Sequence, residues 1–145
     1  MKKLILLLAA VMVSAAGGRA AAQNGRYVVI VNPRNPATAL SAAELSRIYL
    51  GQLQAWRING KVEPVNAVDQ KPDSPIRTAF TERVLHRSVA EVASYWRQEI
   101  YAGRSFPPLE QEEPEAIASV REVLGAIAYV SANADLSGVK VLRVQ

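Results

Sequence analysis

Between Tyr27 and Val31 the chain reads YVVIV, an apolar β-branched run closed by Asn32-Pro33. That pattern predicts a buried strand. Pro33 and Pro36 exclude a helix in the turn that follows. A helix is predicted from Ser41, where SAAE forms a capping box between Ser41 and Glu44. Leu45, Ile48 and Tyr49 give it one apolar face, and Gly51 suits the position just past its end. Asn59-Gly60 marks a turn, and Val62 to Val68 alternates weakly enough to predict a second strand.

A further helix is predicted at Ser74-Pro75, with Ile76, Ala79, Phe80 and Val84 facing the core. Ser88 opens a second capping box, SVAE. Val89, Val92, Trp96 and Ile100 share one face of that helix, and Gly103 stops it. The acidic stretch EQEEPEAIASVREVLG predicts another helix, with its carboxylates gathered in the first turn where they suit the dipole, and Gly125 ends it. Ala126–Val130 and the C-terminal GVKVLRV read as two more buried strands. The order β-α-β-α-α-α-β-β predicts the α/β class with a mixed β-sheet flanked by helices.

The first residues change the picture of composition. Met1-Lys2-Lys3 is basic, Leu4 to Val13 is unbroken and apolar, and Ala20-Ala21-Ala22 fits a small-residue cleavage site. This three-part pattern predicts a cleaved signal peptide over residues 1–22 and a mature domain over 23–145. The apolar run is too short to span a bilayer, which takes roughly 20 residues. No Cys follows it, so the expected export is to the periplasm without a lipid anchor. The formal net charge of +4 is carried largely by this segment, because Lys2, Lys3 and Arg19 lie in it. The remaining chain is nearly balanced, which argues against nucleic acid as a partner. The absence of Cys excludes disulfides and thiolate chemistry.

Signals for catalysis are weak. His86, the single histidine, falls near a helix C-terminus, where the dipole favours a surface His. No G-x-S-x-G elbow and no metal-ligand spacing is present, so the reading is no enzyme and no cofactor. Trp96 reads as core, whereas Trp56 falls in a polar linker that leaves its role open. The Ser74 helix start carries the clearest binding signal. Ser74 is a good N-cap, Pro75 fits the first helical position, and Arg77 is a cation at the wrong end of the dipole. An anion held by Ser74, the Ile76 amide and Arg77 would resolve that conflict. Asp73 or Asp69 filling the same space would instead make the feature structural.

Taken together, VVIVNPRNP, LSAAELSRIYLGQLQAW, DSPIRTAF, YW followed by AGRSFPP, and GAIAYV resemble the periplasmic phosphate-binding proteins of ABC transporters. The resemblance is to short, single-lobe relatives and covers nearly all of the mature chain. It implies one lobe of a type II periplasmic-binding-protein fold. In the long proteins this lobe offers phosphate an Arg and then a Ser-Gly-Thr at a helix start. Here Ser74 matches the Ser, while Gln70, Pro75 and Ile76 stand at the Arg, Gly and Thr. The resemblance implies phosphate or another small anion as ligand and a membrane transporter or sensor as partner. A homodimer that rebuilds the cleft, or an interaction module without ligand, are the other expectations.

Overall fold

The computed structural model describes residues 25–145; the signal peptide predicted over residues 1–22 lies outside the described residues. The first strand, β1 (Tyr27–Val31), forms where the apolar run predicts it. It is followed by a two-residue strand β2 (Ala39–Leu40) and helix α1 (Ala42–Tyr49). The Ser41 capping box is present in both directions, with Glu44 N–H donating to Ser41 Oγ and Ser41 N–H donating to the Glu44 carboxylate. Gly51 follows the helix end in the left-handed conformation, φ 69°, which an L-residue with a Cβ rarely adopts.

The predicted strand Val62–Val68 is two strands. β3 (Ala55–Ile58) and β4 (Lys61–Pro64) make a hairpin, and β5 (Asn66–Gln70) belongs to the main sheet. Asn59 and Gly60, both at positive φ, turn the hairpin. That is the geometry whose twist suits a two-residue connection. Trp56 is thereby removed from the linker and placed in β3, buried, with its Nε1–H donating to Gly125 O at 2.9 Å.

Helix α2 (Pro75–Phe80) runs into a single π-helical turn, Thr81–Leu85, which ends at His86 with φ 52°. Helix α3 (Val89–Tyr101) keeps the Ser88 capping box and buries Val92 and Trp96. Ile100, expected on the same inner face, is exposed, because it lies in the last turn where the helix runs past the core. A short strand β6 (Leu109–Gln111) precedes α4 (Glu113–Glu122), and β7 (Ala126–Ser131) and β8 (Lys140–Val144) close the chain. Gly125 does not end α4. The helix stops at Glu122, and Val123 is already extended.

The main sheet has six strands in the order β2-β8-β1-β7-β5-β6. β1 is antiparallel to both β7 and β8, whereas β5 is parallel to β7 and to β6. The sheet is therefore mixed. Successive side chains of a strand point to opposite faces, and both faces are covered here. Val29, Val31, Ile127 and Tyr129 pack with Leu45, Tyr49, Phe80 and Trp96 on one side. Ile30, Ala128 and Val130 pack with Ala116, Ile117 and Val120 of α4 on the other. This is why β7 is buried at each position from Ala126 to Val130 rather than alternating. Asn32, fully buried, donates its amide to Val120 O and Arg121 O, each at 3.0 Å, and so satisfies two carbonyls at the end of α4. No helix among the described residues is long and apolar enough to cross a membrane.

Candidate functional site at the Ser74 helix start

Strand β5 delivers Asp69 and Gln70 to the point where α2 begins. Ser74 caps that helix, accepting the Arg77 N–H at 3.3 Å. Its own hydroxyl donates to Gln70 Oε1 at 2.5 Å. Gln70 in turn donates its amide to Tyr129 O at 3.0 Å and to Glu113 Oε2 at 3.2 Å. Glu113 completes the chain by accepting the Ser131 N–H at 2.7 Å. A carboxylate at the first residue of α4 therefore already occupies a cluster of donors.

Arg77 is turned inward rather than toward solvent, with only 5% of its surface exposed. Its Nη2 lies 3.1 Å from Asp69 Oδ2. Its Nη1 donates at 2.6 Å both to Glu110 Oε1 and to Gln70 O. The Nε–H is buried with no partner among the described residues. The sequence leaves Arg77 either facing an anion or answered by Asp73 or Asp69. Two carboxylates from other elements, Asp69 and Glu110, answer the dipole conflict that its position creates. Asp73, next to the Ser74 cap, is exposed, so the compensating charge comes through Asp69 near the end of β5 and Glu110 of β6.

Asp69 is held from several sides. The Tyr129 hydroxyl donates to Oδ1, and Gln70 N–H donates to the same atom at 2.9 Å. Burial nevertheless wins, and it pushes the Asp69 carboxyl above its usual range against the pull of Arg77, Tyr129 and Gln70. Burial and then the Asp69 charge drive the Tyr129 phenol upward, so it remains a donor. Tyr129 is fixed further by stacking on Phe80, with ring centroids 3.8 Å apart.

Of the predicted residues, Ser74 and Arg77 are brought together by the cap, while the Ile76 side chain is buried in the core. Gln70 fills the space beside Ser74. Glu110, Glu113 and Tyr129 escaped the reading from sequence. The signal for Asp69 was present: an acid ending an apolar strand needs a partner. The arrangement surrounds one guanidinium with the carboxylates of Asp69 and Glu110 and sets Glu113 one hydrogen bond away through Gln70. It offers a solute more acceptors than donors. No group of His, Cys, Asp and Glu among the described residues is arranged to hold a metal ion.

The model of the PBP superfamily domain matches residues 22–142. The chain belongs to that family. Solved structures agree with this PBP-type fold. An ABC-type phosphate transport receptor from Vibrio cholerae superposes with a TM-score of 0.64 at 20% identity, over 81% of this chain and 45% of that one. A protein from Clostridium perfringens, described as a phosphate ABC transporter substrate-binding protein with bound phosphate, gives 0.64 at 22% identity, over 81% and 44%. PstS from Borrelia burgdorferi gives 0.62 at 17% identity, over 82% and 47%. At such identities the likeness is one of fold. The chain spans less than half the length of these structures, as a PBP-like single lobe does. Among curated protein sequences no match is found.

Proposed function

We propose that this chain is an exported, periplasmic module of the phosphate-binding-protein type that acts by contact with a partner protein rather than by tight capture of phosphate. The partner class is a membrane transporter or sensor, by analogy with the transport receptors whose fold it shares. The observation that carries this reading is the pairing of Arg77 with Asp69 and Glu110. Magnitudes agree with it. A helix end supplies up to about 2 kcal/mol, and a charge-assisted hydrogen bond about 1.5–3 kcal/mol. Micromolar affinity takes about 8 kcal/mol net. A single Ser-capped helix start beside an Arg77 guanidinium that is already ion-paired falls short of that.

Isothermal titration of the purified protein with phosphate and with sulfate tests this. The expected result is no saturable heat in the micromolar range. Saturable micromolar binding of phosphate that Ser74→Ala abolishes would overturn it.

A second reading keeps weak anion binding at Ser74, Ile76 and Arg77. It is favoured by Ser74, which is half-buried at the N-cap and matches the serine that the resemblance implies for phosphate. Millimolar binding, lost in Ser74→Ala and unchanged in a distant surface variant, is its signature. Light scattering addresses the homodimer: an anion-dependent doubling of mass supports a rebuilt cleft, and a constant monomer mass excludes it.

A further inference from the structure

Helix α4 opens on the acids Glu112, Glu113 and Glu115, and they have different tasks. Glu112 and Glu115 form a capping box, in which the Glu115 carboxylate accepts the Glu112 N–H at 3.3 Å. Glu113 takes no part in it. Its side chain leaves the helix and reaches the ends of two strands. Oε2 accepts the Ser131 N–H of β7 at 2.7 Å and the Gln70 side-chain amide of β5 at 3.2 Å. These donors belong to the sheet, not to the first turn of α4.

Both donors are set in place before any anion is considered. Ser131 pairs with Tyr27 of β1, which fixes its backbone. Gln70 holds Tyr129 O at 3.0 Å through Nε2 and Ser74 Oγ at 2.5 Å through Oε1. A carbonyl oxygen and a carboxylate only accept, so the amide nitrogen must face Tyr129 and Glu113. The two bonds to Glu113 converge on one oxygen, and Arg77 is held by Asp69 and Glu110. Two neutral donors suit one oxygen of a planar monoanion. A phosphate dianion would bring more charge and more oxygens than this pair can answer, beside two further carboxylates.

We propose that Ser131 N–H and Gln70 Nε2 form a carboxylate site whose resident occupant is Glu113, an internal plug that keeps it closed to free solutes. The proposal rests on the reading that the Ser74 face does not trap free phosphate. A tethered group competes at an effective concentration of about millimolar or more, so scarcer anions do not displace it. The site opens when the Glu113 side chain swings out or is removed. Glu113 is half-buried and both of its bonds are only partly buried, so small solutes reach the vacated space.

The test removes the plug and follows the Ser131 amide in proton–nitrogen correlation spectra. In Glu113→Ala this N–H loses a charge-assisted partner, and its proton resonance should move upfield of the native position. Sodium acetate, compared with sodium chloride at equal ionic strength, should return it saturably, with a dissociation constant of about millimolar order. Acetate at about ten times that constant should also raise the folding equilibrium constant about tenfold. Glu113→Ser, whose short side chain suits a helix start, is a second vacated form, and thermal unfolding establishes that each variant is folded. The native protein, Glu113→Gln, which keeps an acceptor oxygen, and Glu112→Ala, which removes a neighbouring charge, should not respond. No acetate response at Ser131 in either vacated form, an equal response in the native protein, or phosphate matching acetate in Glu113→Ala would each overturn the proposal. Failure of the underlying reading shows elsewhere, as micromolar phosphate binding by the native protein with Glu113 in place.

Discussion

Replacing Arg77 with methionine removes the cation facing Asp69 while keeping a long apolar stem in its place. Asp69 is 8% exposed and would be left as a buried carboxylate with only the Tyr129 hydroxyl and the Gln70 amide as donors. Breaking a buried pair by removing one partner costs about 3–5 kcal/mol. The Glu110 half of the pairing adds little. Its side chain is 41% exposed, and solvent screening holds such a contact below about 1 kcal/mol. Domains of this size are stable by about 5–15 kcal/mol, so the variant stays folded with a large part of its margin gone. With a urea slope of about 1–3 kcal/mol per molar, the unfolding midpoint should fall by about 1–5 M. Circular dichroism in a urea titration reads this directly. The loss must also depend on pH. Without Arg77 the Asp69 carboxyl rises further above its usual range, so acidification protonates it and removes the buried charge. The destabilisation should therefore be clearly smaller at about pH 4 than at about pH 7. Asp69→Asn added to Arg77→Met should recover much of the stability at about pH 7. An equal loss at both pH values, no rescue by Asp69→Asn, or a Glu110→Gln loss as large as that of Arg77→Met would refute the reasoning.

Three more outcomes follow from the same structure. The raised Asp69 carboxyl means that the folded state holds this proton more tightly than the unfolded state. Asp69's contribution is thus most favourable below its ordinary value of 3.8 and declines as pH rises through the folded value, so Asp69→Asn should gain on the native protein across that window in paired urea titrations. Asn32→Ala should cost about 1–3 kcal/mol by orphaning the carbonyls of Val120 and Arg121, visible as a lower thermal midpoint, with Ser88→Ala as a cap-only comparison near 1 kcal/mol. Gly125→Ala should destabilise by at least about 1–3 kcal/mol, because its Cβ would stand 2.0 Å from Pro64 O, which is backbone and cannot rotate away; a neutral result in the same assay would contradict that packing.

Local rules made much of the fold legible. The capping boxes at Ser41 and Ser88, the left-handed glycines 51 and 103, and the apolar strands at Tyr27 and Ala126 each follow from a few adjacent residues. What failed to show depends on partners far along the chain. Val62–Val68 read as one strand because Ala55–Ile58, its hairpin partner, is too short to announce itself. β6 is three residues long and is a strand only because β5 lies beside it. The same reason hid the character of the Ser74 site. The sequence exposed an Arg at the wrong end of a helix, but its counter-ions come from Asp69 in β5 and from Glu110 in β6. Gln70 and Glu113 are joined across 43 positions, a distance over which no periodicity speaks.

β1 lies between β7 and β8, so the first strand of the described chain completes its pairing with the last two. A ribosome-bound chain that still lacks residues 126–145 has no neighbour for Val29 or Ile30 on either side. Assembly of the sheet must wait for residues 126–145 to emerge, and long-range closures of this kind slow folding. A nonsense codon shortly before Ala126 should therefore yield an aggregation-prone remnant rather than a smaller functional domain.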